Sequence, residues 1–199
     1  AAYDRAIYDT RDIELRIINF DDLEAFQSFV AFPYFGKHGA VISAPDGWLI
    51  EAQPHPDALA AFYPLGLKKD EAFHNDGYIY MSASIKDSKW PNLNHLLESQ
   101  EKNILGHYSQ PEIEYETVDV REDCDATVRK LVASEMPGTV EVTLFLDFPE
   151  AVVFFNLLTP EDKHASYYKK LLWIAEKMIL LKVIYSQGLT PLTLVRDDS

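Results

Sequence analysis

The segment 139–148 places the strongest constraint on what this chain can fold into. Its apolar residues Val140, Val142, Leu144 and Leu146 recur at every second position. That period is typical of a β-strand with one buried face. The segment is therefore predicted to be a strand with these four side chains on one face.

Further strands are predicted where apolar residues alternate or form short runs between turn signals. These strands cover 12–20, 40–43, 48–52, 78–85, 112–120, 151–158 and 189–195. The second and third are joined by Ala-Pro-Asp-Gly at 44–47, which predicts a β-hairpin. Segment 151–158 has no clear period, and its β-branched and aromatic content favours a strand.

Helices are predicted where apolar residues follow a helical period between capping signals. They cover 21–32, 56–62, 91–105 and 123–135, followed by a last helix. That last helix is the clearest, since Thr159 is a typical cap, Pro160 suits the first position and Gly188 ends the pattern. The irregular order of helices and hairpins predicts an α+β fold: one domain over 1–199, a mixed, mostly antiparallel sheet with helices packed on it, and a long C-terminal helix.

Length and cysteine content limit the number of domains, the disulfides and the cellular compartment that we expect. A chain of 199 residues suits a single domain that is stabilised by its own core. Cys124 is the only cysteine, so no internal disulfide can form and nothing points to an oxidising compartment. The first residues lack a secretory pattern, and charges interrupt the apolar stretch 171–185, which predicts a buried helix and not a membrane span. We expect a cytoplasmic protein or part of a particle assembled in the cytoplasm.

The charge balance restricts the partners. Asp and Glu number 32 against 18 Lys and Arg, a formal net charge of −14. Nucleic-acid affinity depends on Lys and Arg that neutralise phosphates, so nucleic acid and anionic membranes are poor partners. A field of one sign favours partners of the opposite sign, and a basic protein surface is the expected partner.

The densest acidic segment is 112–125, which contains seven carboxylates and only one basic residue, Arg121. If 112–120 is a strand, Glu112, Glu114 and Glu116 form a row on one face with about 7 Å between neighbours. Together with Asp119, they are predicted to bind a basic partner. Two alternatives stay open: a solvated strand face that prevents edge aggregation, and a hard-cation site of oxygen ligands.

Aromatic residues near turns are the second group of predicted partner contacts. Tyr34, Phe35, Trp48 and Tyr63 lie close to turn signals, and Trp173 lies among the lysines of the last helix. Tyr and Trp are enriched at interfaces. They also dominate cores, which is the alternative for each of them.

No catalytic residue, metal site or cofactor is predicted. The six histidines form no zinc-binding spacing and the eight glycines form no phosphate-binding loop. A serine nucleophile elbow is absent from the sequence. Acidic neighbours disfavour the thiolate of Cys124, which predicts a structural thiol and not a nucleophile.

Three functional hypotheses follow. The first is a non-enzymatic protein-interaction module that docks a basic partner, such as an inhibitor or immunity-type protein. The second is a structural subunit of a larger assembly, such as a viral or phage component, and homo-oligomers stay open. The third is a divalent-cation-dependent hydrolase that uses Glu112, Glu114 and Asp46.

Overall fold

The computed structural model describes residues 29–34, 38–55, 57–65, 77–185 and 192–196. Within them the chain forms two helices, one 3₁₀ turn and eleven strands. In chain order the elements are β1 (Phe29–Tyr34), β2 (His38–Ser43), β3 (Trp48–His55), β4 (Ala58–Pro64), β5 (Tyr78–Ile85), α1 (Leu93–His107), β6 (Glu112–Val118), β7 (Asp125–Val132), β8 (Thr139–Asp147), β9 (Ala151–Pro160), the 3₁₀ turn (Glu161–Lys163), α2 (His164–Lys177), β10 (Ile179–Tyr185) and β11 (Leu192–Arg196).

The strands form two sheets. The larger sheet has the order β3-β4-β5-β9-β8-β7-β6, and the smaller one has the order β1-β2-β10-β11. Each pairing between described strands is antiparallel. The predicted α+β class with a mostly antiparallel sheet, packed helices and a helix in the C-terminal part is therefore confirmed.

The inner face of the large sheet carries the main core. The alternating residues of β8, Val140 to Leu146, are buried there as the sequence predicted. Leu171 and Ile174 from α2 and Ile42 from β2 join the same apolar cluster. Helix α2 therefore packs on this face, and removal of this apolar surface from water stabilises the arrangement by roughly 25 cal/mol per Å².

The outer face of the large sheet is covered in part by α1. Leu93, Leu96 and Leu97 of the helix pack with Phe145 and Val152 of the sheet. Asn92 caps the helix, because its side chain accepts a hydrogen bond of 3.1 Å from the backbone N–H of His95. Gly106 lies inside this helix and not after it, since the helix continues to His107.

Helix α2 is shorter than the sequence indicates. Thr159 and Pro160 end strand β9 and do not begin the helix, and the chain leaves the helix at Met178 to form β10. The apolar stretch 171–185 is therefore helix and then strand. Periodicity alone does not separate the two parts, and pairing of β10 with β2 decides the second one.

Two predicted helices are strands. Segment 123–135 contains β7 (Asp125–Val132), and segment 56–62 lies mostly in β4. Both strands are buried on both faces: Val128 and Arg129 are adjacent and buried, as are Ala61 and Phe62. A strand covered on both sides loses the alternation that identifies it, and its short apolar run resembles a helix face.

Of the hairpin predicted around 44–47, the turn is present but the two strands do not pair with each other. The turn forms, with the backbone N–H of Trp48 donating to the carbonyl of Pro45 at 3.0 Å. The strands that it joins separate, because β2 belongs to the small sheet and β3 to the large one. Positions 29–32, predicted as the end of a helix, lie in β1, whereas positions 21–28 of that helix and strand 12–20 fall outside the described residues.

Candidate functional site

The predicted row of glutamates lies at the edge of the large sheet. Glu112, Glu114 and Glu116 are exposed and occupy one face of β6. Among the described strands, β6 pairs only with β7. Successive carboxylates on one strand face stand about 7 Å apart, so the row is a line of negative charge along the last described strand of the sheet.

The negative surface continues past the end of β6. Asp119, Glu122, Asp123 and Asp125 are also exposed, and we call the seven carboxylates of 112–125 the acidic edge. Asp123 is paired with Arg121 at 2.7 Å. The other six side chains make no ion pair or hydrogen bond with the described part of the chain. Most of this charge is therefore available to a partner.

A groove of about 550 Å³ separates β6 from the start of α2. We call it the His164 groove. Its floor is apolar, with Val128 and Val142. Its other lining residues are Glu114, Tyr115, Glu116, Lys130, His164 and Tyr168. The rings of His164 and Tyr168 are stacked, with centroids 5.8 Å apart and planes 8° apart.

The electrostatics of this groove favour a cation from outside. Burial, together with the nearby Lys130, lowers the pKa of His164, which keeps its imidazole neutral near pH 7. Burial and the Glu116 carboxylate raise the pKa of the Tyr168 hydroxyl. The groove thus has two carboxylates against one cation, Lys130, together with two neutral rings and an apolar floor. This net negative lining can accommodate one long basic side chain.

A second, open groove of about 870 Å³ lies at the other end of the acidic edge. Asp119, Glu122 and Asp125 line it, and we call it the Arg121 groove. Across it, Lys86 is paired with Asp147 at 2.6 Å. With both cations of the groove paired, the unpaired carboxylates leave it negative.

Arg121 fixes the wall of this groove to helix α2. Its Nη1 donates to the carbonyls of Ala175, Glu176 and Met178 at 2.9, 3.2 and 2.5 Å. These groups lie at the end of the helix, where carbonyls lack helical partners. Because Asp123 holds the same guanidinium, the acidic loop has a defined position relative to α2.

Cys124 also lines the Arg121 groove. Burial, with the Asp123 carboxylate second, raises the pKa of its thiol to about 12. Burial, which the sequence does not show, is therefore a larger cause than the acidic neighbours. A thiol with this pKa is protonated near neutral pH and is a poor nucleophile.

Comparisons with known proteins give structural likeness without a family. No protein family matches the sequence, and no curated protein matches it. The similar solved structures include cyanobacterial PsbP (CyanoP) from Synechocystis, 13% identical over 76% of this chain and 91% of that one, with a TM-score of 0.48. A Bacteroides thetaiotaomicron protein is 11% identical over 73% and 50% of the two chains, with a TM-score of 0.45. A Pseudomonas aeruginosa protein of unknown function, named as a putative regulator, is 10% identical over 81% and 99%, with a TM-score of 0.41.

The predicted aromatic contacts do not join the acidic edge. Trp48 is only 5% exposed and meets Tyr167 edge-to-face at 5.1 Å, so it belongs to the core and its ring is not offered to a partner. Tyr63 is half-buried and stacked on Tyr78 at 5.8 Å. Both lie in β3 and β4, at the opposite edge of the sheet from β6.

Of the remaining predicted aromatic contacts, the structure describes the side chain of Trp173 but not those of Tyr34 and Phe35. Trp173 is half-buried on α2 and lines a separate cavity of about 430 Å³ together with Asp46, Lys169 and Lys170. This cavity does not share lining residues with either groove of the acidic edge. The backbone of Tyr34 lies in β1, but its side chain and Phe35 fall outside the described residues.

The structure does not assemble the hypothetical cation site. Asp46 precedes β3 at one edge of the sheet, whereas Glu112 and Glu114 lie on β6 at the other. Within the part of the chain that the structure describes, no three His, Cys, Asp or Glu side chains are grouped to hold a metal ion. Nor does any helix in that part have the length and apolar character to cross a membrane.

The sequence did not predict which residues lie beside the glutamate row and complete the His164 groove. Lys130 stands opposite Glu114 across the β6–β7 ladder, and His164 and Tyr168 approach from α2. Assignment of 123–135 to a helix hid the first relationship. The only part of the groove that the sequence indicated was the row of glutamates. No local pattern predicts that α2 contacts this row.

A buried polar network under α1 was also not predicted. Arg129 is 4% exposed, and it donates to Gln100 Oε1 at 2.8 Å and to Thr143 Oγ1 at 3.2 Å. Tyr115 donates to Glu101 of the same helix at 3.0 Å. A buried charge needs such partners, and these bonds fix α1 to the outer face beside β6.

Proposed function

We propose that this chain is a non-enzymatic protein-interaction module that docks a basic partner through the acidic edge, in the manner of an inhibitor or immunity-type protein. The observation that carries the proposal is the state of the seven carboxylates of 112–125. They are exposed on one continuous segment, and six have no ion pair or hydrogen bond with the described residues. A surface that neutralised its own charge would have nothing to offer a cation.

The two grooves support the proposal because they make the negative surface concave, so that basic side chains can enter it. The His164 groove and the Arg121 groove lie along the same segment and have volumes of about 550 and 870 Å³. Basic side chains that enter a groove are partly desolvated, and their interactions with carboxylates are stronger there than on a flat surface. Complementary charge also accelerates association.

The wall of the docking surface is held in place. Arg121 joins the acidic loop to the end of α2, and Arg129 joins β7 to α1. A surface held in its binding conformation loses less entropy when a partner binds. This lowers the entropy cost that this chain itself contributes to binding.

The proposal can be tested with lysozyme as a basic protein probe. We compare the Glu114→Gln/Glu116→Gln double variant with a Glu98→Gln/Glu176→Gln control, which removes the same charge from exposed positions on α1 and α2. We expect the acidic-edge variant to bind about tenfold more weakly at low salt, which is about 1.4 kcal/mol, and the control to change less than twofold. Calorimetry at two salt concentrations measures both.

Equal losses in the two variants would contradict the proposal. They would show that binding follows net charge and not the acidic edge. Affinity that does not fall with salt would contradict it as well, because the proposed contacts are electrostatic.

A further inference from the structure

We infer that the partner docks as an extended segment that pairs with the edge of β6 on which no described strand lies, and adds a strand to the large sheet. This inference rests on the proposed function and specifies how the acidic edge is used. The occupant is a strand whose side chains alternate between basic and apolar.

The backbone of β6 provides the first reason. Strand β6 is seven residues long and ends the described sheet, with β7 on its one occupied side. Every second residue of an edge strand directs its N–H and C=O away from the sheet. An extended peptide satisfies these groups by adding a strand, a common mode of peptide recognition.

The two faces of β6 provide the second reason, because they differ in chemistry. Glu112, Glu114 and Glu116 occupy the inner face, and Ile113 and Tyr115 occupy the outer one. Tyr115 is 42% exposed, which is high for a large apolar side chain. An added strand would place alternate residues beside each face, so basic residues would meet the glutamates and apolar residues would meet Ile113 and Tyr115.

Charge decides between a basic partner and a second copy of the chain. Pairing of two β6 strands would bring one row of glutamates beside another, and like charges opposite each other destabilise a strand pair. A basic strand gains from the same row. The charges that prevent self-association therefore select the partner.

The His164 groove gives one basic side chain a particular place. Glu114 and Glu116 line the groove beside the stacked rings of His164 and Tyr168. The planar head of an arginine can stack on such rings and its stem can pack on the apolar floor. Lys130 also lines the groove and repels a second cation, so we expect a single arginine there.

Seven-residue fluorescent peptides test the inference with the intact chain. The first peptide alternates arginine with valine. A second has the same composition with the arginines contiguous, and a third replaces the valines with serine. Two further versions of the first peptide carry N-methyl groups on alternate backbone amides, one version for each hydrogen-bonding edge.

We expect the alternating peptide to bind at least tenfold more tightly than the contiguous one and about fivefold more tightly than the serine peptide. One of the two N-methylated versions should lose at least tenfold, because it cannot donate to β6. Fluorescence anisotropy measures each affinity. Glu114→Gln/Glu116→Gln should weaken the alternating peptide, and Glu98→Gln/Glu176→Gln should not.

Other outcomes overturn the inference in distinguishable ways. If all peptides bind equally while lysozyme still requires the acidic edge, the extended mode is wrong and the proposed function stands. If neither peptides nor lysozyme distinguish the acidic-edge variant from its control, both fail. If the free chain sediments as a dimer and binds none of the peptides, the edge belongs to a second copy.

Discussion

Arg121 and Asp123 form a bidentate ion pair in which Nε and Nη2 each lie 2.7 Å from a carboxylate oxygen. The remaining nitrogen of the same guanidinium binds three carbonyls at the end of α2. Hydrogen bonds from Arg121 lower the pKa of Asp123. One side chain thus orders the acidic loop and terminates a helix, which links the proposed docking surface to the core.

Arg121→Ala should lower the free energy of unfolding by about 2–4 kcal/mol. The reason is that the carbonyls of α2 and the carboxylate of Asp123 lose a charged donor. The free energy of unfolding of Arg121→Lys should lie between those of the parent and of Arg121→Ala, because an ammonium group cannot reproduce the planar donor geometry of a guanidinium. Urea unfolding measures the change. Lys102→Ala on the exposed face of α1 is the control and should stay within about 0.5 kcal/mol of the parent.

Glu135 should titrate well below an ordinary glutamate. The backbone N–H and the hydroxyl of Ser109 each donate to its Oε1 at 2.8 Å, and these bonds lower its pKa to about 2. A depressed pKa in the folded state means that the bonds stabilise the fold above the pKa of the unfolded state, about 4.3. That contribution is lost as the pH falls toward 2.

Carboxyl NMR titration checks the value for Glu135. Ser109→Ala should raise the midpoint toward that of an ordinary glutamate, since one donor is removed. High salt should change the midpoint little, because the cause is hydrogen bonding and not a distant charge. A midpoint near 4 in the parent chain would show that these bonds do not form in solution.

Gly77→Ala should destabilise the fold by about 3 kcal/mol or more. Gly77 has a φ of +98°, and an added Cβ would lie 2.5 Å from two ring atoms of Tyr167. Gly138→Ala is a matched control, because its φ is +68° but nothing lies within 4 Å of the new Cβ. It should cost only the backbone strain, about 1–2 kcal/mol. Equal losses in urea unfolding would mean that the Tyr167 ring moves away freely.

Cys124 should react slowly with iodoacetamide. Its thiol pKa is raised to about 12, and each unit lowers the thiolate fraction tenfold. At pH 8 we expect alkylation at least about 100-fold slower than in the chain unfolded in urea. Asp123→Asn should accelerate the reaction modestly, because it removes the second cause of the shift. A native rate equal to the unfolded one would contradict the buried environment.

Sequence patterns identified elements whose two faces differ. Strand β8 was predictable because Val140 to Leu146 alternate with residues of the other face, and β6 because its glutamates alternate with Ile113 and Tyr115. Strands β4 and β7 were misassigned since neighbouring residues such as Ala61 and Phe62 are both buried. The alternation signal depends on a chemical difference between the two faces. Strand β8 keeps it through Glu141 and Thr143, although Thr143 is buried, whereas adjacent apolar residues such as Ala61 and Phe62 remove it.

The sequence by itself determined the acidic segment 112–125 and the strand at its start, because charge and alternation are local properties. For Cys124 it showed only the acidic neighbours, and burial, the larger cause of the raised thiol pKa, is a tertiary property. Only the tertiary structure decided that β6 is the last described strand of the sheet and that His164 and Tyr168 turn its glutamate row into a groove. It also decided where α2 ends, through Arg121 and the pairing of β10 with β2. These outcomes depend on contacts between segments that lie far apart in the chain, and such contacts form through burial and pairing that no local pattern records.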